Sequence, residues 1–275
     1  MIINFYKLEG LGNDFILLDS RRNGFVPSGK LVRRWCDRRF GVGADGVLIL
    51  LKPSLSSADF RMRILNSDGS EAEMCGNGIR CLARYLYDHR LAGEGALKIE
   101  TLAGIIDVER RGGLFRVAMG RPEFAPEKIP VKSRTEVVGR KLKVLGREFS
   151  ISCVSMGNPH CVIMVKDVGK IPVAELGPVI EHHSLFPKRS NVEFTQVLSR
   201  RHLKVRVWER GAGETLACGT GACAVLAAAF RLGLVERKAR VSLPGGDLIV
   251  EWKDNCWLTG PARLVYQGWF SAGNF

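Results

Sequence analysis

The chain has 275 residues, of which 46% are hydrophobic and 25% are charged, and its formal net charge is +13. This composition is ordinary for a soluble globular protein and provides enough apolar residues for one large domain or two smaller ones. The longest apolar run, from Ala222 to Phe230, is far shorter than the roughly 20 residues of a membrane span, and the first residues do not form a signal-peptide pattern, so we expect a cytoplasmic protein without a membrane partner.

Runs of β-branched and aliphatic residues predict short strands along the whole chain. In chain order, the predicted strands span residues 47–51, 62–65, 97–101, 104–109, 114–118, 161–165, 203–208, 239–243 and 248–252. The glycine pairs within residues 111–113 and 244–247 predict hairpin turns. Helices are predicted at residues 77–90 and 220–231, and a glycine, the favoured residue past a helix end, follows each. The second helix is apolar on every face, so it should be buried on all sides.

The second half of the sequence repeats the pattern of the first. An offset of 143 residues places Cys75 on Cys218. The same offset aligns Arg63 with Arg206, Glu71 with Glu214, Gly76 with Gly219, and Gly78 with Gly221. At an offset of 145, Gly12-Asn13 falls on Gly157-Asn158. Agreement of order and spacing at two places indicates an internal duplication.

The duplication predicts an α+β fold with two pseudo-symmetric domains, each a mixed or antiparallel β-sheet or barrel wrapped around a central helix. We place the first domain at residues 1–118, with residues 264–275 packing back on it, and the second at residues 119–263. Residues 119–130 are rich in proline and are interpreted as the connection between the domains. Equivalent elements of two such domains can face each other across a cleft.

The eight cysteines fit neither a disulfide framework nor a zinc site. The chain is large, it has no Cys-x-x-Cys pair, and its histidines form no helical ligand pair. Cys75 and Cys218 stand out because each lies in a Cys-Gly-x-Gly turn that leads into a predicted helix. Free backbone N–H groups and the helix dipole at such a turn stabilise a thiolate and can hold a carboxylate.

Two equivalent cysteines suit a reaction that inverts a stereocentre by proton exchange. One face of the α-carbon needs a base and the other face an acid, because a single base returns the proton to the side it left. We therefore predict that Cys75 and Cys218 act as a pair, with one thiolate and one thiol at rest. Lowering a thiol pKa from ~8.5 to ~7 raises the thiolate fraction only about 15-fold at pH 7. Most of the rate must then come from water exclusion and from fixed dipoles around the substrate carboxylate.

Two other functional classes remain open from the residues alone. The charge of +13 allows a nucleic-acid partner, but the basic residues are scattered doublets with acidic residues between them. We therefore expect a solvated basic surface and no nucleic-acid partner. A thiol redox protein would use a reversible disulfide in its cycle, whereas in an epimerase a bond between Cys75 and Cys218 would abolish activity.

Six blocks of the sequence, in order, resemble the diaminopimelate epimerase family. They are FYKLEGLGNDFILLD, RRFGVGADGVLIL, NSDGSEAEMCGNGIRC, SMGNPHCVI, SNVEFTQV and WERGAGETLACGTGACA. The resemblance implies an amino-acid epimerase, an isomerase that interconverts LL- and meso-2,6-diaminopimelate in the synthesis of lysine and peptidoglycan precursors. It also implies a homodimer that uses neither pyridoxal phosphate nor a metal.

The resemblance assigns roles residue by residue. Cys75 and Cys218 match the catalytic acid/base pair, and His160 and Glu209 match residues that tune the two thiols. The residues that match the family's substrate contacts are Asn13, Asn66, Gly76, Asn77, Asn158, Asn191, Glu209, Arg210, Gly219 and Thr220. These types suit the ligand, because amides donate to a carboxylate and accept from an ammonium group. The planar fork of Arg210 suits the remote carboxylate.

Two points depart from this assignment or compete with it. Gly46 stands where some relatives carry a glutamine that reaches the substrate, so we assign no ligand contact there, and we interpret Asp45 as a turn residue. A proline or hydroxyproline racemase of similar fold is the nearest alternative function. Its substrates lack a distal amino-acid group, which would leave Arg210 and several asparagines without a purpose. The sequence therefore favours diaminopimelate as the substrate.

Overall fold

The computed structural model describes residues 2–93 and 95–271, which form two compact units. The first unit contains the described residues up to Ala118 and from Gly260 onwards, and the second is Met119–Thr259. Residues 119–130, predicted as a connection, belong to the second unit, where Glu123 forms a β-bridge with Ser155. No helix within the described residues is long and apolar enough to cross a bilayer.

The first unit is a mixed β-sheet with two helices. Its strands are β1 (Ile2–Gly10), β2 (Asn13–Asp19), β3 (Gly46–Leu51), β4 (Phe60–Asn66), β5 (Glu71–Ala72), β6 (Leu97–Thr101), β7 (Gly104–Arg111), β8 (Leu114–Ala118) and, from the end of the chain, β18 (Arg263–Ser271). Its helices are α1 (Gly29–Cys36) and α2 (Gly76–Asp88). The β1–β2, β3–β4, β6–β7 and β7–β8 pairs are antiparallel, and the β2–β3 and β4–β6 pairs are parallel. β18 pairs antiparallel with the remaining edge of β1, and residues 272–275 of the predicted C-terminal segment lie outside the described residues.

The second unit is a mixed sheet of the same design. Its strands are β9 (Arg140–Val144), β10 (Arg147–Ser155), β11 (Pro159–Met164), β12 (Asn191–Ser199), β13 (His202–Glu209), β14 (Gly213–Thr215), β15 (Lys238–Leu243), β16 (Gly246–Trp252) and β17 (Cys256–Gly260). Its helices are α3 (Val173–Glu181) and α4 (Gly219–Arg231). The β10–β11, β12–β13, β15–β16 and β16–β17 pairs are antiparallel, and the β11–β12 and β13–β15 pairs are parallel.

The two units repeat these pairings in the same order, and the register of the central parallel pair recurs. The parallel pair of β2 and β3 places Phe15 opposite Gly46, and the parallel pair of β11 and β12 places His160 opposite Asn191. The duplication that was inferred from short motifs thus extends through the sheets. This agreement confirms the predicted α+β fold with two duplicated domains.

The two long helices, α2 and α4, pack against the strands of their own units. Residues 222–229 of α4 are fully buried, which confirms that this helix is covered on all sides. The helices begin at Gly76 and Gly219, one residue before their predicted starts, and α4 ends at the predicted Arg231. α2 ends two residues early, at Asp88. Both helix starts therefore lie where the cysteine motifs place them.

The shorter helices, α1 and α3, pack on the outer side of each sheet. Ser28 caps α1, whose buried residues include Val32 and Trp35. In the second unit, a side chain at Gly177 of α3 would lie 2.5 Å from the ring of Trp208, so only glycine lets the helix approach β13 this closely. These contacts hold α1 and α3 against the sheets that carry the predicted site residues.

Candidate active site

Cys75 and Cys218 occupy equivalent positions, each as the N-cap residue of its long helix. The Cys75 sulfur accepts a hydrogen bond from the Gly78 N–H at 3.5 Å, and the Cys218 sulfur accepts one from the Gly221 N–H at 3.3 Å. The first turn of a helix has free N–H groups and carries the positive end of the dipole. Each position therefore favours an anion, either the thiolate itself or the carboxylate of a ligand.

Asn13 links Cys75 to a group of charged residues in the first unit. Its side-chain oxygen accepts a hydrogen bond from the Asn77 amide at 3.1 Å and lies 3.8 Å from the Cys75 sulfur. Its amide nitrogen donates to Asp45 at 2.7 Å. Arg80, which is fully buried, donates to the Asn77 oxygen at 2.9 Å. The structure thus brings three predicted residues together and joins them to two, Asp45 and Arg80, that were not predicted.

Two cations hold the carboxylates of Asp14 and Asp45. Arg38 contacts both carboxylates at 2.7 Å, and Lys7 pairs with Asp14 at 2.5 Å and also donates to the carbonyl of Gly43. Burial acts to raise the pKa of Asp14, but the hydrogen bonds from Arg38 and Lys7 outweigh it and lower the pKa to about 2. Asp45 is therefore more than a turn residue, because it joins this cluster to Asn13.

In the second unit, a chain of hydrogen bonds leads from a buried carboxyl group to Cys218. Glu193 Oε1 lies 2.6 Å from His160 Nδ1, and both side chains are fully buried. His160 Nε2 lies 2.9 Å from Asn158 Oδ1, and Asn158 Nδ2 donates to the Thr220 hydroxyl at 3.4 Å. The Thr220 oxygen is 3.4 Å from the Cys218 sulfur. His160 thus reaches Cys218 through two other predicted site residues.

Burial opposes ionisation in this half of the site. It raises the pKa of Glu193, against the ion-pairing contact with His160, and Glu193 Oε2 has no hydrogen-bond partner among the described residues. Burial also raises the pKa of Cys218 well above its usual value, and the carboxylates of Glu209 and Glu193 add to this effect. The Thr220 hydroxyl and the Gly221 N–H act in the opposite direction. A cationic ligand near Cys218 would favour its thiolate.

Asn191, Glu209 and Arg210 lie together where β12 begins and β13 ends. Asn191 is buried, and its side-chain oxygen accepts a hydrogen bond from the backbone N–H of Arg210 at 2.8 Å. The Thr215 hydroxyl donates to Glu209 at 2.5 Å. Arg210 is exposed and donates to the carbonyl of Lys188 at 3.1 Å. Asn191 thus positions the Arg210 backbone, while the Arg210 side chain remains exposed.

Asn66 lies in the turn at the end of β4. Its amide donates to the Ser70 hydroxyl at 3.0 Å, and its backbone N–H donates to the Ser70 carbonyl. In the sheet it lies opposite Gly46. The 143-residue offset makes Asn66 the counterpart of Glu209, and its role as a substrate contact stays a prediction.

Asp45, Arg80 and Glu193 contact predicted site residues, but the sequence motifs did not single them out. A signal that could have identified Glu193 lies in the duplication itself. A polar residue in one copy, aligned with an apolar residue in the other, breaks the repeat, as Glu193 does against Leu48. Such a break inside a strand indicates a buried polar partner.

The structure places no group of three or more His, Cys, Asp or Glu side chains in a metal-binding arrangement within residues 2–93 and 95–271. All eight cysteines lie in these ranges and have free thiols. Seven of the eight are buried, and Cys75 is partly exposed. Of the buried thiols, Cys218 is the one at a helix start.

Comparison with known proteins shows a match over both halves of the chain. A family model described as diaminopimelate epimerase matches residues 5–125 and 152–265. The chain is 50% identical to the diaminopimelate epimerase of Acetivibrio thermocellus, with 97% of this chain and 98% of the relative aligned. It is also 50% identical to that of Halothermothrix orenii, with 98% of each chain aligned.

Solved structures of lower identity share the fold. A hydroxyproline epimerase from Agrobacterium vitis, solved with bound trans-4-hydroxy-L-proline, matches 98% of this chain and 93% of its own, with a TM-score of 0.73 and 15% identity. A probable proline racemase from Agrobacterium radiobacter K84 matches 99% of this chain and 94% of its own, with a TM-score of 0.71 and 15% identity. Because the family model spans both duplicated halves and relatives at 50% identity align over nearly the whole length, the chain belongs to the diaminopimelate epimerase family.

Proposed function

We propose that this chain is a diaminopimelate epimerase, which interconverts LL- and meso-2,6-diaminopimelate in the synthesis of lysine and peptidoglycan precursors. Relatives that are 50% identical over almost their full length carry that name. The observation that carries the mechanism is the equivalent capping of two helices by Cys75 and Cys218. One reactive sulfur in each duplicated half matches the need for one acid and one base.

The proposed reaction moves two protons at one carbon. The thiolate of one cysteine takes the α-proton, and the C–H electron pair stays on the α-carbon, delocalised into the carboxylate. The thiol of the other cysteine then gives its proton to the opposite face. The stereocentre is inverted, the two sulfurs have exchanged protonation states, and no electron is gained or lost.

Backbone groups at the two helix starts are proposed to stabilise the charge that develops. Gly76-Asn77 and Gly219-Thr220 offer N–H groups to the α-carboxylate, where negative charge grows as the proton leaves. The α-ammonium group of the substrate would also favour the thiolate of Cys218, against the burial that raises its pKa. Substrate binding and activation of the base would then be coupled.

The polar side chains support a substrate with two amino-acid groups. Arg210 is exposed and has the planar fork that suits a distal carboxylate. The amides of Asn13, Asn66, Asn158 and Asn191 can each donate or accept without adding charge. A proline or hydroxyproline racemase activity is the alternative, but the solved structures with those names are 15% identical and support the fold alone.

The proposal includes a cytoplasmic enzyme that works as a homodimer without pyridoxal phosphate or metal. The homodimer is supported by β18, which leaves Leu264, Val265, Tyr266 and Trp269 exposed by 37% to 66%. Several exposed apolar side chains on one strand are typical of an interface. The oligomeric state can be read from light scattering on the purified protein.

Proton exchange in D2O tests the proposed function. The purified protein should equilibrate pure LL- or meso-diaminopimelate and introduce deuterium at one α-carbon, as followed by NMR, without any added cofactor. EDTA and hydroxylamine, which remove metals and trap pyridoxal aldehydes, should not change the rate. L-Proline and trans-4-hydroxy-L-proline are the control substrates. Exchange of these, with diaminopimelate unchanged, would establish the racemase instead.

A substitution at Gly221 is expected to displace the reactive end of α4. A Cβ there would be 3.0 Å from Glu193 Oε1 and 3.2 Å from the Cys218 sulfur, whereas a Cβ at the equivalent Gly78 would first meet the flexible end of Leu48 at 3.0 Å. We expect Gly221→Ala to lower kcat/KM about 10- to 100-fold, since a shift of about 1 Å at a reacting group has this effect. Gly78→Ala should lower it less than about threefold. Equal losses of kcat/KM in the two variants, measured by steady-state kinetics, would contradict this prediction.

A further inference from the structure

The two equivalent asparagines, Asn13 and Asn158, have opposite orientations in their half-sites. The carbonyl oxygen of Asn13 faces the thiol of its own unit, with 3.8 Å between Oδ1 and the Cys75 sulfur. The carbonyl oxygen of Asn158 instead faces His160, and its amide nitrogen points to the hydroxyl that contacts Cys218. The side-chain amides of the two equivalent asparagines thus point in opposite directions, with the oxygen towards the cysteine in one unit and the nitrogen towards it in the other. We call this direction the polarity of each chain of hydrogen bonds.

In the first unit, the orientation of Asn13 is fixed by a short chain of hydrogen-bonded side chains, which has a donor-only group at one end and an acceptor-only group at the other. Arg80 donates to the Asn77 oxygen at 2.9 Å, Asn77 donates to the Asn13 oxygen at 3.1 Å, and Asn13 donates to Asp45 at 2.7 Å. A guanidinium group has no acceptor, and a carboxylate has no donor. If the side-chain amide of Asn13 or Asn77 flipped, so that its oxygen and nitrogen exchanged places, it would lose the hydrogen bonds on both of its sides.

This arrangement determines what the Cys75 sulfur can do towards Asn13. The sulfur faces a carbonyl oxygen, which can only accept, so the contact exists only while the sulfur carries its proton. A thiolate at the same place would meet the negative end of the C=O dipole. The contact therefore favours the thiol form of Cys75.

In the second unit, the chain runs the other way. Asn158 gives its amide hydrogen to the Thr220 oxygen, so its own oxygen is left to accept from His160 Nε2. The Thr220 oxygen already accepts, and its O–H is free to donate to the Cys218 sulfur at 3.4 Å. Glu193 holds the other ring nitrogen at 2.6 Å. The Thr220 donor therefore acts towards the thiolate of Cys218, in the direction opposite to burial.

The residues that set the two polarities are ones at which the duplicated halves differ. The 143-residue offset aligns Arg80 with Cys223 and Asn77 with Thr220, and the 145-residue offset aligns Asp45 with Ser190. The donor at one end and the acceptor at the other end of the first chain thus have no counterpart in the second half. Two identical half-sites would give the two thiols no preferred state.

We propose that Asp45 and Arg80 are positioning residues that lock Asn13 with its oxygen towards Cys75, so that Cys75 is held as the thiol. The second half, locked with the opposite polarity, offers Cys218 a donor in the Thr220 hydroxyl, which acts against the effect of burial on that thiol. This inference rests on the proposed two-cysteine function, but it concerns the free protein. It can therefore be tested without substrate.

The test is the rate at which iodoacetamide alkylates each cysteine, because the thiolate is the form that reacts. Trypsin releases Cys75 in residues 64–80 and Cys218, together with Cys223, in residues 211–231, so fragment mass spectra can follow the two sites separately. Asp45→Asn allows Asn13 to turn its amide nitrogen to the sulfur. We expect Cys75 alkylation at pH 7 to become about fivefold faster, the effect of one reoriented hydrogen bond, and Cys218 alkylation to change less than about twofold.

Matched variants separate the effect of the Asn13 orientation from the effect of losing a negative charge and from misfolding. Asp14→Asn removes a carboxylate that contacts the same Arg38 and the Asp45 backbone N–H but does not touch the Asn13 side chain, so it should leave Cys75 alkylation within about twofold. Asp45→Ser, which copies the equivalent residue of the second half, should act like Asp45→Asn. Thermal unfolding identifies any variant that fails to fold.

The Asn13→Ala background completes the test. There the Asp45→Asn change should have no effect on Cys75, because the amide that transmits it is gone. Equal acceleration by Asp14→Asn, or acceleration that persists without Asn13, would overturn the proposal. Failure of the D2O exchange assay, with these alkylation results intact, would instead overturn the proposed function alone.

Discussion

Alanine at Cys75 or at Cys218 is expected to lower kcat for epimerisation at least about 10³-fold, since each change removes the acid or base proposed for one face of the α-carbon. Both cysteines cap their helices through the sulfur, but a lost cap costs only about 1 kcal/mol of folding free energy. The variants should therefore fold and bind diaminopimelate but not epimerise it. The measurement is NMR of LL- and meso-diaminopimelate at equal enzyme concentrations.

Two neighbouring cysteines provide the control. Cys81 and Cys223 lie on the same helices, fully buried, within two turns of the reactive residues. Cys81→Ala and Cys223→Ala should keep activity within about threefold, because they remove only small buried side chains away from the helix starts. Epimerisation that persists in Cys75→Ala or Cys218→Ala, or an equal loss in the controls, would contradict the two-cysteine mechanism.

The second large effect is expected at the buried pair of His160 and Glu193. His160→Phe leaves the Glu193 carboxyl group buried without its partner, which should cost about 3–5 kcal/mol of the free energy of unfolding. The double variant His160→Phe/Glu193→Leu should recover most of this loss. It copies Phe15 and Leu48, which occupy the same sheet positions in the first unit and are buried there. Urea unfolding of the two variants measures the difference.

The His160→Phe/Glu193→Leu variant should regain stability but not epimerase activity. Asn158 loses the ring that holds its oxygen, and its hydrogen bond to Thr220 then no longer has a fixed direction. We expect kcat to stay at least about tenfold below that of the unchanged protein. Recovery of both stability and kcat would show that His160 and Glu193 serve folding alone.

The sequence predicted the features that depend on neighbouring residues. The helices after Cys75 and Cys218 have their apolar pattern within a short stretch, and the structure confirms both helices. Gly233 follows the end of α4 as predicted, whereas Arg90 and not Gly93 adopts a positive φ after α2. α1 was not predicted, because it is only eight residues long and its charged doublet Arg33-Arg34 lies beside its buried residues. α3 was not predicted either, since Pro178 lies inside it.

The site was predicted in part for the same reason. Asn13, His160 and Asn158 lie in glycine-containing motifs that repeat or match a family block. Asp45 and Glu193 become significant only through partners 32 and 33 residues away in the chain. No local pattern specifies such a partner, because the sheet register creates the contact. The duplication offset would have indicated Glu193 through its apolar counterpart.

The pairing of β1 with β18 has a consequence for how the protein is made. A nascent chain emerges from its N-terminus, so β1 leaves the ribosome long before its partner strand exists. Met119–Thr259 is continuous in sequence and can complete its contacts earlier. The first half must wait for Phe270, which stacks at 5.3 Å on Phe5 and packs at 4.6 Å against Trp35. The half that is translated first therefore cannot complete its sheet until the last strand of the chain has been made.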